Sequence, residues 1–215
     1  SCSEESEREP SGSPDKGLRA RGLAVQFVQE DHLTLQATSP APAQSAARTA
    51  LPILTALSLS HCLNDLLQSL LPAIYPNLKQ DLSPTFAEIG LITLVFQITA
   101  SLLQPAVGAI TDKKPQPYSL AVGMACSLVG LLLLSRAHAY GIVLIAAAII
   151  GIGSSIFHPE SSRVARAASG GRFGFAQSFF QVGGNTGQAI GPLLAALIIA
   201  PNGQGAVAWF VIVPL

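Results

Sequence analysis

Residues 89–111 read IGLITLVFQITASLLQPAVGAIT and contain no Asp, Glu, Lys or Arg. An α-helix rises about 1.5 Å per residue, so an apolar helix of roughly 20 residues crosses the hydrocarbon core of a bilayer. Three more runs without those four residue types occupy residues 115–135, 137–159 and 173–215, and the last is long enough to cross twice. The runs therefore predict an all-α protein that crosses a membrane repeatedly.

The composition agrees with this prediction. Of 215 residues, 11% are Asp, Glu, Lys or Arg and 49% are hydrophobic, whereas about 25% of a typical soluble domain is charged. The formal net charge at pH 7 is +0, so no basic excess indicates binding to nucleic acid. The sequence contains no Gly-rich phosphate loop, no Cys-x-x-Cys pair and no Gly-x-Ser-x-Gly turn. We therefore expect no enzyme active site and no cofactor.

The N-terminal segment differs from the rest of the chain. Residues 1–49 hold seven acidic and five basic residues, half of all the charge. Such a segment buries too little apolar surface to offset the entropy lost on ordering. We predict a disordered or non-native polar tail at 1–49 and a transmembrane bundle at 50–215. Because the chain begins with Ser and stops inside an apolar run, we interpret it either as a fragment truncated within helix 6 or as having a misassigned start.

The boundaries of the uncharged runs predict six spans, at 51–75, 86–110, 117–135, 140–164, 174–200 and from 206 to the end. The alternative, a soluble core of buried helices, fits poorly because such helices average about a dozen residues. Lys and Arg concentrate in cytoplasmic loops of membrane proteins. With a cytoplasmic N-terminus, the inner loops carry five of them and the outer loops two, so we predict that orientation.

Span 1 carries polar side chains at membrane depth, where ionisable groups are costly. His61, Asn64, Asp65 and Gln68 recur at intervals of three and four residues, which places them on one face of a helix. We interpret Asp65 and His61 as a proton-carrying pair, and Asn64 and Gln68 as contacts to a substrate. The alternative is a structural pair that only attaches span 1 to its neighbours.

Amide side chains also follow two other spans. We predict that five of them bind substrate, namely Gln97, Gln104, Gln177, Gln181 and Asn185. In span 5, a separate stripe of Gly183, Gly187 and Gly191 allows another helix to approach closely, and Pro192 is a bending point. We expect spans 1, 2, 4 and 5 to line a polar passage, with spans 3 and 6 outside it, as two three-helix repeats would arrange them.

Span 4 ends in a polar segment around Pro159, which removes a backbone hydrogen bond and predicts a kink. We interpret His158 and Glu160 as further candidate proton carriers. Glu160 with Arg163 is equally interpreted as a structural ion pair. The two histidines His61 and His158 also suggest a metal site, but no third ligand follows at metal-binding spacing, so we expect no metal.

The loop after span 2, Gly108-Ala-Ile-Thr-Asp112-Lys113, resembles the front half of a loop signature of the major facilitator superfamily. In that family the loop acts as a cytoplasmic latch. The family's Gly-Arg-Arg continuation is replaced here by Pro-Gln-Pro at 115–117. The segment GGNTGQAIGP at 183–192 is similar to the span-5 motif of drug antiporters. The resemblance implies gating roles for Gly108, Asp112, Lys113 and Arg163, and for the residues Gly183, Gly187, Gly191 and Pro192.

Three segments resemble one branch of this family more specifically. They are HCLNDLLQSLLPAIYP at 61–76, FHPESSR at 157–163 and AQSFFQVGGN at 176–185. Together they are similar to the fosmidomycin-resistance branch, which consists of proton-driven exporters of a phosphonate antibiotic. The resemblance covers the first six of that family's twelve helices, and it implies a missing C-terminal six-helix half if the chain is a fragment.

The resemblance implies an efflux transporter that exports a small anionic antibiotic, such as fosmidomycin, in exchange for protons. Many family members carry an Arg early in span 4, whereas this sequence has Ala146, so the proton carriers are sought among the four residues named above. The expected partners are the lipid bilayer of a bacterial inner membrane, protons and a small-molecule substrate, and no nucleic acid. A truncated, non-transporting six-helix membrane module is the alternative, and an intramembrane enzyme using His158 and Glu160 is disfavoured because no nucleophile accompanies them.

Overall fold

In the computed structural model, the described residues are 48–114 and 116–212, and every regular element among them is a helix. Most of the predicted tail, at residues 1–47, lies outside the described residues. The described helices belong to one compact unit. The all-helical fold predicted from the uncharged runs is therefore confirmed for the described part of the chain.

Six helices are numbered in chain order. Helices α1 to α6 run Leu51–Ala73, Tyr75–Leu82, Phe86–Lys113, Ser119–Ser135, Tyr140–Ala167 and Phe173–Leu194. Helix α6 continues through a π-helical turn, Ala195–Ile199, and a short α turn, Ala200–Asn202, and a 3₁₀ helix then spans Gln204–Ile212. Spans 1 to 5 thus correspond to α1, α3, α4, α5 and the extended α6, and the start of span 6 is the 3₁₀ helix.

Three helices in the described ranges are long and apolar enough to cross a membrane. They are Phe86–Lys113, Tyr140–Ala167 and Phe173–Asn202, while Ser119–Ser135 is apolar but shorter. Helix α1 has 23 residues, but its run includes His61, Asn64 and Asp65, which lower its hydropathy. The number of six spans therefore remains a prediction.

The ends of α1 and α3 follow from local sequence. Helix α1 ends at Ala73, one residue after Pro72, and α2 restarts at Tyr75 with a proline in its first turn, where a missing N–H costs little. Helix α3 begins with a capping box, in which the Thr85 hydroxyl accepts a hydrogen bond from the Glu88 N–H and the Glu88 carboxylate accepts one from the Thr85 N–H. After the break at the end of α1, the Tyr75 hydroxyl lies 2.9 Å from the Thr93 hydroxyl of α3.

Helix α1 packs mainly against α6, and α5 packs against both α3 and α4. The α1–α6 contact is close because glycines of α6 face the α1 backbone. A methyl group added at Gly183 or Gly187 would collide with the carbonyl oxygen of Ser58 or Cys62, respectively. Gly191 continues the same contact against Ser69. The glycine stripe predicted for span 5 therefore lies against α1 and lets the two helices approach closely.

The contacts of α1 with α6 and of α3 with α5 join span 1 to span 5 and span 2 to span 4. A rotation that carries span 1 onto span 4 and span 2 onto span 5 exchanges these two contacts. Two three-helix repeats would produce this exchange. The repeat arrangement itself stays a prediction.

The apolar core has two parts. The larger one includes Leu70, Leu131 and Ile150 and joins α1, α4, α5 and the segments after α6. The smaller one includes Leu54, Ala165 and other residues of α1, α5 and α6. On α1, His61, Asn64 and Asp65 lie between these two parts.

Candidate functional site

Three ionisable side chains meet between the two parts of the core, and they are called the Asp65 cluster here: Asp65, His61 and His158. The Nε2 atom of His61 lies 3.4 Å from Oδ2 of Asp65, and Nε2 of His158 lies 3.3 Å from Oδ1. Asp65 is only 2% exposed. Helix α1 places His61 and Asp65 one turn apart, and α5 brings His158 to the other carboxylate oxygen.

Each histidine of the cluster has a hydrogen-bond partner at Nδ1, the ring nitrogen that faces away from Asp65. Nδ1 of His61 lies 3.0 Å from the carbonyl oxygen of Phe180, and Nδ1 of His158 lies 3.0 Å from that of Ser154. A carbonyl oxygen only accepts, so Nδ1 of His61 donates, whereas Nδ1 of His158 also lies 3.2 Å from the Ser154 hydroxyl, which can donate to it. In a neutral His61 the Nε2 atom then has a lone pair, which faces Oδ2 of Asp65. An added proton turns this contact between His61 and Asp65 into a hydrogen bond.

Other groups hold the cluster in place. The Asn64 amide donates to Oδ1 of Asp65 over 3.2 Å, and the Gln188 amide of α6 donates to Oδ2 over 2.9 Å. The ring of His61 stacks on Phe180, with centroids 4.0 Å apart and planes 11° apart. A methyl group at Gly184 would collide with that imidazole. The cluster is therefore supported from both α1 and α6.

The cluster opens onto a cavity of about 710 Å³ between α1, α3, α5 and α6. These helices are the four spans predicted to line a polar passage. The polar lining residues are Asp65, Gln68, Ser69, Tyr75, Thr93, Gln97, Ser101, Gln104, Ser154, His158 and Gln188. The lining includes no Lys and no Arg, so every positive charge it can carry depends on a proton.

The predicted substrate residues divide into two groups. Gln68, Gln97 and Gln104 line the cavity, and Asn64 is buried beside Asp65. Three amides of α6 do not line it: Gln177 accepts a hydrogen bond from Ser162, and Gln181 donates to Asn185. Their predicted substrate roles stay predictions.

The α6 amide that lines the cavity is Gln188, which was not among the predicted site residues. Gln181 lies on nearly the same face of the helix as Gln188, since seven residues make about two turns. Those two turns also separate the side chains by about 10 Å along the helix axis. Helical periodicity predicts the face but not the depth.

Glu160 and Arg163 form a separate ion pair. Nε of Arg163 donates to Oε2 of Glu160 over 3.3 Å, and a second guanidinium nitrogen contacts Oε1. Glu160 does not line the cavity, because two residues rotate it about 200° around α5 from His158. The structure therefore does not bring this candidate proton carrier to the Asp65 cluster.

The remaining motif residues lie at the ends of helices or in helix contacts. Asp112 and Lys113 are exposed in the last turn of α3. Gly108, one turn earlier, faces the side chain of Pro159 across the α3–α5 contact. Pro192 lines the cavity.

The cluster also bears on the expected absence of a metal. One ligand atom from each of its three residues lies within 4.8 Å of the others, so these residues are spaced closely enough to hold a metal ion. The sequence offered no third ligand by spacing, because His158 reaches Asp65 only through the packing of α5 on α1. The absence of a metal remains a prediction.

Several cavity residues were not predicted as site residues. Tyr75 donates or accepts a hydrogen bond with Thr93 over 2.9 Å, and both line the cavity with Ser101. Thr93 and Ser101 share helical spacing with Gln97, so spacing was the available signal. Tyr75 follows the break after α1, where sequence periodicity gives no direction.

The family model described as Major Facilitator Superfamily matches residues 57–215. The fosmidomycin resistance protein of Escherichia coli (strain K12) is 62% identical over 175 residues, which cover 81% of this chain and 43% of that protein. The uncharacterized MFS-type transporter YfnC of Bacillus subtilis (strain 168) is 46% identical over 170 residues, which cover 79% of this chain and 42% of YfnC. The chain spans less than half the length of these curated relatives.

Proposed function

The chain belongs to the major facilitator superfamily, in its fosmidomycin-resistance branch, and on that basis we propose that it is part of a proton-coupled exporter of a small anionic antibiotic such as fosmidomycin. Membership in this family makes the protein a multi-pass membrane transporter. The substrate and the coupling ion are the proposed part, as is their exchange across the membrane by alternating access.

The Asp65 cluster carries the proposal of proton coupling. A buried carboxylate needs a positive partner, and the two partners of Asp65 are histidines that become charged only when protonated. A proton arriving through the cavity binds Nε2 of a histidine, which then donates to Asp65. When the proton leaves, the lone pair of Nε2 again faces the carboxylate. The charge of the cavity wall thus changes with each proton taken up and released.

The substrate part of the proposal rests on the cavity wall. Gln68, Gln97 and Gln104 offer amide donors and acceptors to a polar substrate. An anion also needs positive charge in a site that excludes water. Because the lining includes no Lys or Arg, we propose that a second six-helix half, as the length of the relatives suggests, supplies that charge.

The test uses the complete gene product that contains this chain, expressed in a fosmidomycin-sensitive bacterium. We expect the wild type to confer resistance, and membrane vesicles to export the drug faster when a proton gradient is applied. Asp65→Asn should abolish the gradient-driven part at equal protein level. Asp81→Asn, a change at an exposed acidic residue of α2, is the matched control and should retain it.

Three results would contradict the proposal. Unchanged export and pH dependence in Asp65→Asn would remove Asp65 from coupling. Wild-type export at the same rate with and without a proton gradient would reject proton coupling altogether. A complete protein that reaches the membrane but exports no phosphonate would favour the alternative of a non-transporting six-helix module.

We also propose a bacterial inner membrane with the N-terminus in the cytoplasm, supported by the five basic residues of the inner loops against two in the outer ones. Single cysteines at the exposed loop residues Gln116 and Ala139 test this, in a background with the native cysteines replaced by serine. An impermeant thiol reagent should label Ala139→Cys in intact cells, and Gln116→Cys only after permeabilisation. The opposite pattern would reverse the orientation.

A further inference from the structure

Helix α6 reaches the Asp65 cluster at three points. The Gln188 amide donates to Asp65, the Phe180 carbonyl accepts from His61, and Gly184 leaves room for the imidazole. We propose that Gln188 is a positioning residue of the cluster, which holds the proton-free carboxylate of Asp65 and links proton binding to the position of α6. This inference rests on the proposed proton coupling.

The carboxylate of Asp65 is shared symmetrically between amides and imidazoles. Oδ1 accepts from the Asn64 amide and faces His158, while Oδ2 accepts from the Gln188 amide and faces His61. Asn64 is the chain neighbour of Asp65 and moves with it. Gln188 belongs to another helix, so its bond is the amide contact that changes when α6 moves relative to α1.

The Gln188 bond favours one protonation state. An amide N–H that donates to a carboxylate forms a charge-assisted hydrogen bond, which stabilises the ionised form. A protonated His61 donates to the same oxygen, Oδ2, and so competes with the Gln188 amide for its negative charge. Proton uptake by the cluster therefore weakens the contact that Gln188 makes from α6.

The packing of α6 on α1 explains why the amide arrives at this depth. His61 and Asp65 are one turn apart on α1, and Gly184 and Gln188 are one turn apart on α6. Gly184, which has no side chain, thus lies against the imidazole of His61, and the amide of Gln188 reaches the carboxylate of Asp65. The flanking glycines at 183 and 187 hold the two backbones close enough for both contacts.

The other ionisable groups near Asp65 must be considered in any pH profile. On α1 these are His61 and Cys62, and on α5 the group is His158. From α6, the side chain that contacts the carboxylate is the neutral Gln188. From α3, the cavity lining contributes amide, hydroxyl and apolar side chains without charge. Gln188→Leu therefore removes a neutral partner and leaves the charged ones in place.

The test compares Gln188→Leu with wild type in the complete transporter, by the pH dependence of export from membrane vesicles. Loss of the amide donor leaves more negative charge on the Asp65 carboxylate to stabilise a protonated histidine, so the cluster keeps its proton to a higher pH. We expect the pH of half-maximal export to rise by about one unit, the size expected for one charge-assisted hydrogen bond. Thr186→Val, an isosteric change at an exposed α6 residue whose hydroxyl bonds its own helix, is the control and should not shift the profile.

A second variant distinguishes a positioning role of Gln188 from a loss of folded protein. Gln188→Glu keeps the side-chain shape, replaces the donor with an oxygen and should raise the midpoint further. A merely structural role of Gln188 would lower the amount of protein without moving the midpoint. If Asp65→Asn removes the pH dependence but both Gln188 variants keep the wild-type midpoint, the inference is wrong and the proposed function stands. If wild-type export does not depend on pH, both are wrong.

Discussion

Two buried carboxylates, Glu160 on α5 and Asp65 on α1, differ in their partners. Glu160 is 3% exposed and Asp65 is 2% exposed, so both carboxylates are equally withdrawn from water. Glu160 pairs with Arg163, whose guanidinium is always charged. Asp65, on α1, meets His158 of α5 and His61, which are charged only when they carry a proton. Equal burial thus gives a fixed pair at one place and a proton-dependent group at the other.

Access to the cavity separates the two groups further. The His158 side chain is 26% exposed and lines the cavity, whereas Glu160 and Arg163 do not line it. A proton can therefore reach the Asp65 cluster through the space in which a substrate would bind. The partner residue and the path to water, rather than the buried acid itself, distinguish a candidate coupling site from a structural ion pair.

The strongest test of this comparison gives Asp65 the kind of partner that Glu160 has. We expect His158→Arg to fix Asp65 in a permanent ion pair and to lower gradient-driven export at least tenfold, about 1.4 kcal/mol, at every pH from ~5 to ~8. Export rates from vesicles, normalised to protein amount, measure this.

His138 in the α4–α5 loop is exposed, and His138→Arg is the matched control that should keep wild-type export. A His158→Arg protein with normal rate and normal pH dependence would show that a proton-dependent partner is not needed at this position.

The second prediction breaks the fixed pair. Glu160→Gln leaves the Arg163 guanidinium without its carboxylate, and we expect the free energy of unfolding to fall by about 1–3 kcal/mol. The loss is limited because Arg163 is partly exposed and can turn towards water. Thermal unfolding in detergent measures the change, and the pH midpoint of export should stay at its wild-type value.

Removing Arg163 as well sharpens this result. Glu160→Gln combined with Arg163→Gln should be no less stable than Glu160→Gln alone, because the unpaired cation is then gone. A shifted pH midpoint in either variant would instead assign the Glu160 pair to proton coupling.

Sequence patterns predicted the helices because charged residues separate the long uncharged runs. The five described spans begin and end within a few residues of the predicted bounds, since the polar loops interrupt uncharged runs. The polar face of α1 could also be predicted from the sequence, because His61 and Asp65 are one turn apart. The pairing of Asp65 with His158 could not be predicted, because it depends on how α5 packs against α1.

The sequence also did not predict how far along α6 an amide must lie to reach the cavity. The amides of α6 follow helical spacing, yet the cavity ends between Gln181 and Gln188. The position of that boundary depends on where α6 crosses α1, which the glycines at 183, 187 and 191 determine through backbone contacts. From the sequence alone, Gly184, which faces His61, could not be distinguished from the neighbouring glycines that face the α1 backbone.

The third prediction concerns that glycine. Gly184→Ala places a methyl group against the imidazole of His61, and we expect about 1–2 kcal/mol of lost stability from overpacking. The displaced ring should also weaken export, because Nε2 of His61 would leave Oδ2 of Asp65. Gly174→Ala, on the same helix with open space around it, should be neutral or slightly stabilising. Equal stability of the two variants would mean that the α1–α6 contact is looser than described.

The smallest effect is expected at a cavity residue that does not touch the Asp65 cluster. Gln97 lines the cavity from α3, so Gln97→Leu removes one proposed hydrogen bond to substrate. One such bond contributes about 0.5–1.5 kcal/mol, which predicts a rise in KM of roughly two- to tenfold with the pH midpoint unchanged. Gln80→Leu, at an exposed amide of α2, is the control with unchanged KM. A shifted midpoint without a change in KM would place Gln97 with the proton site, and the separation between proton binding at α1 and substrate binding at α3 would fail.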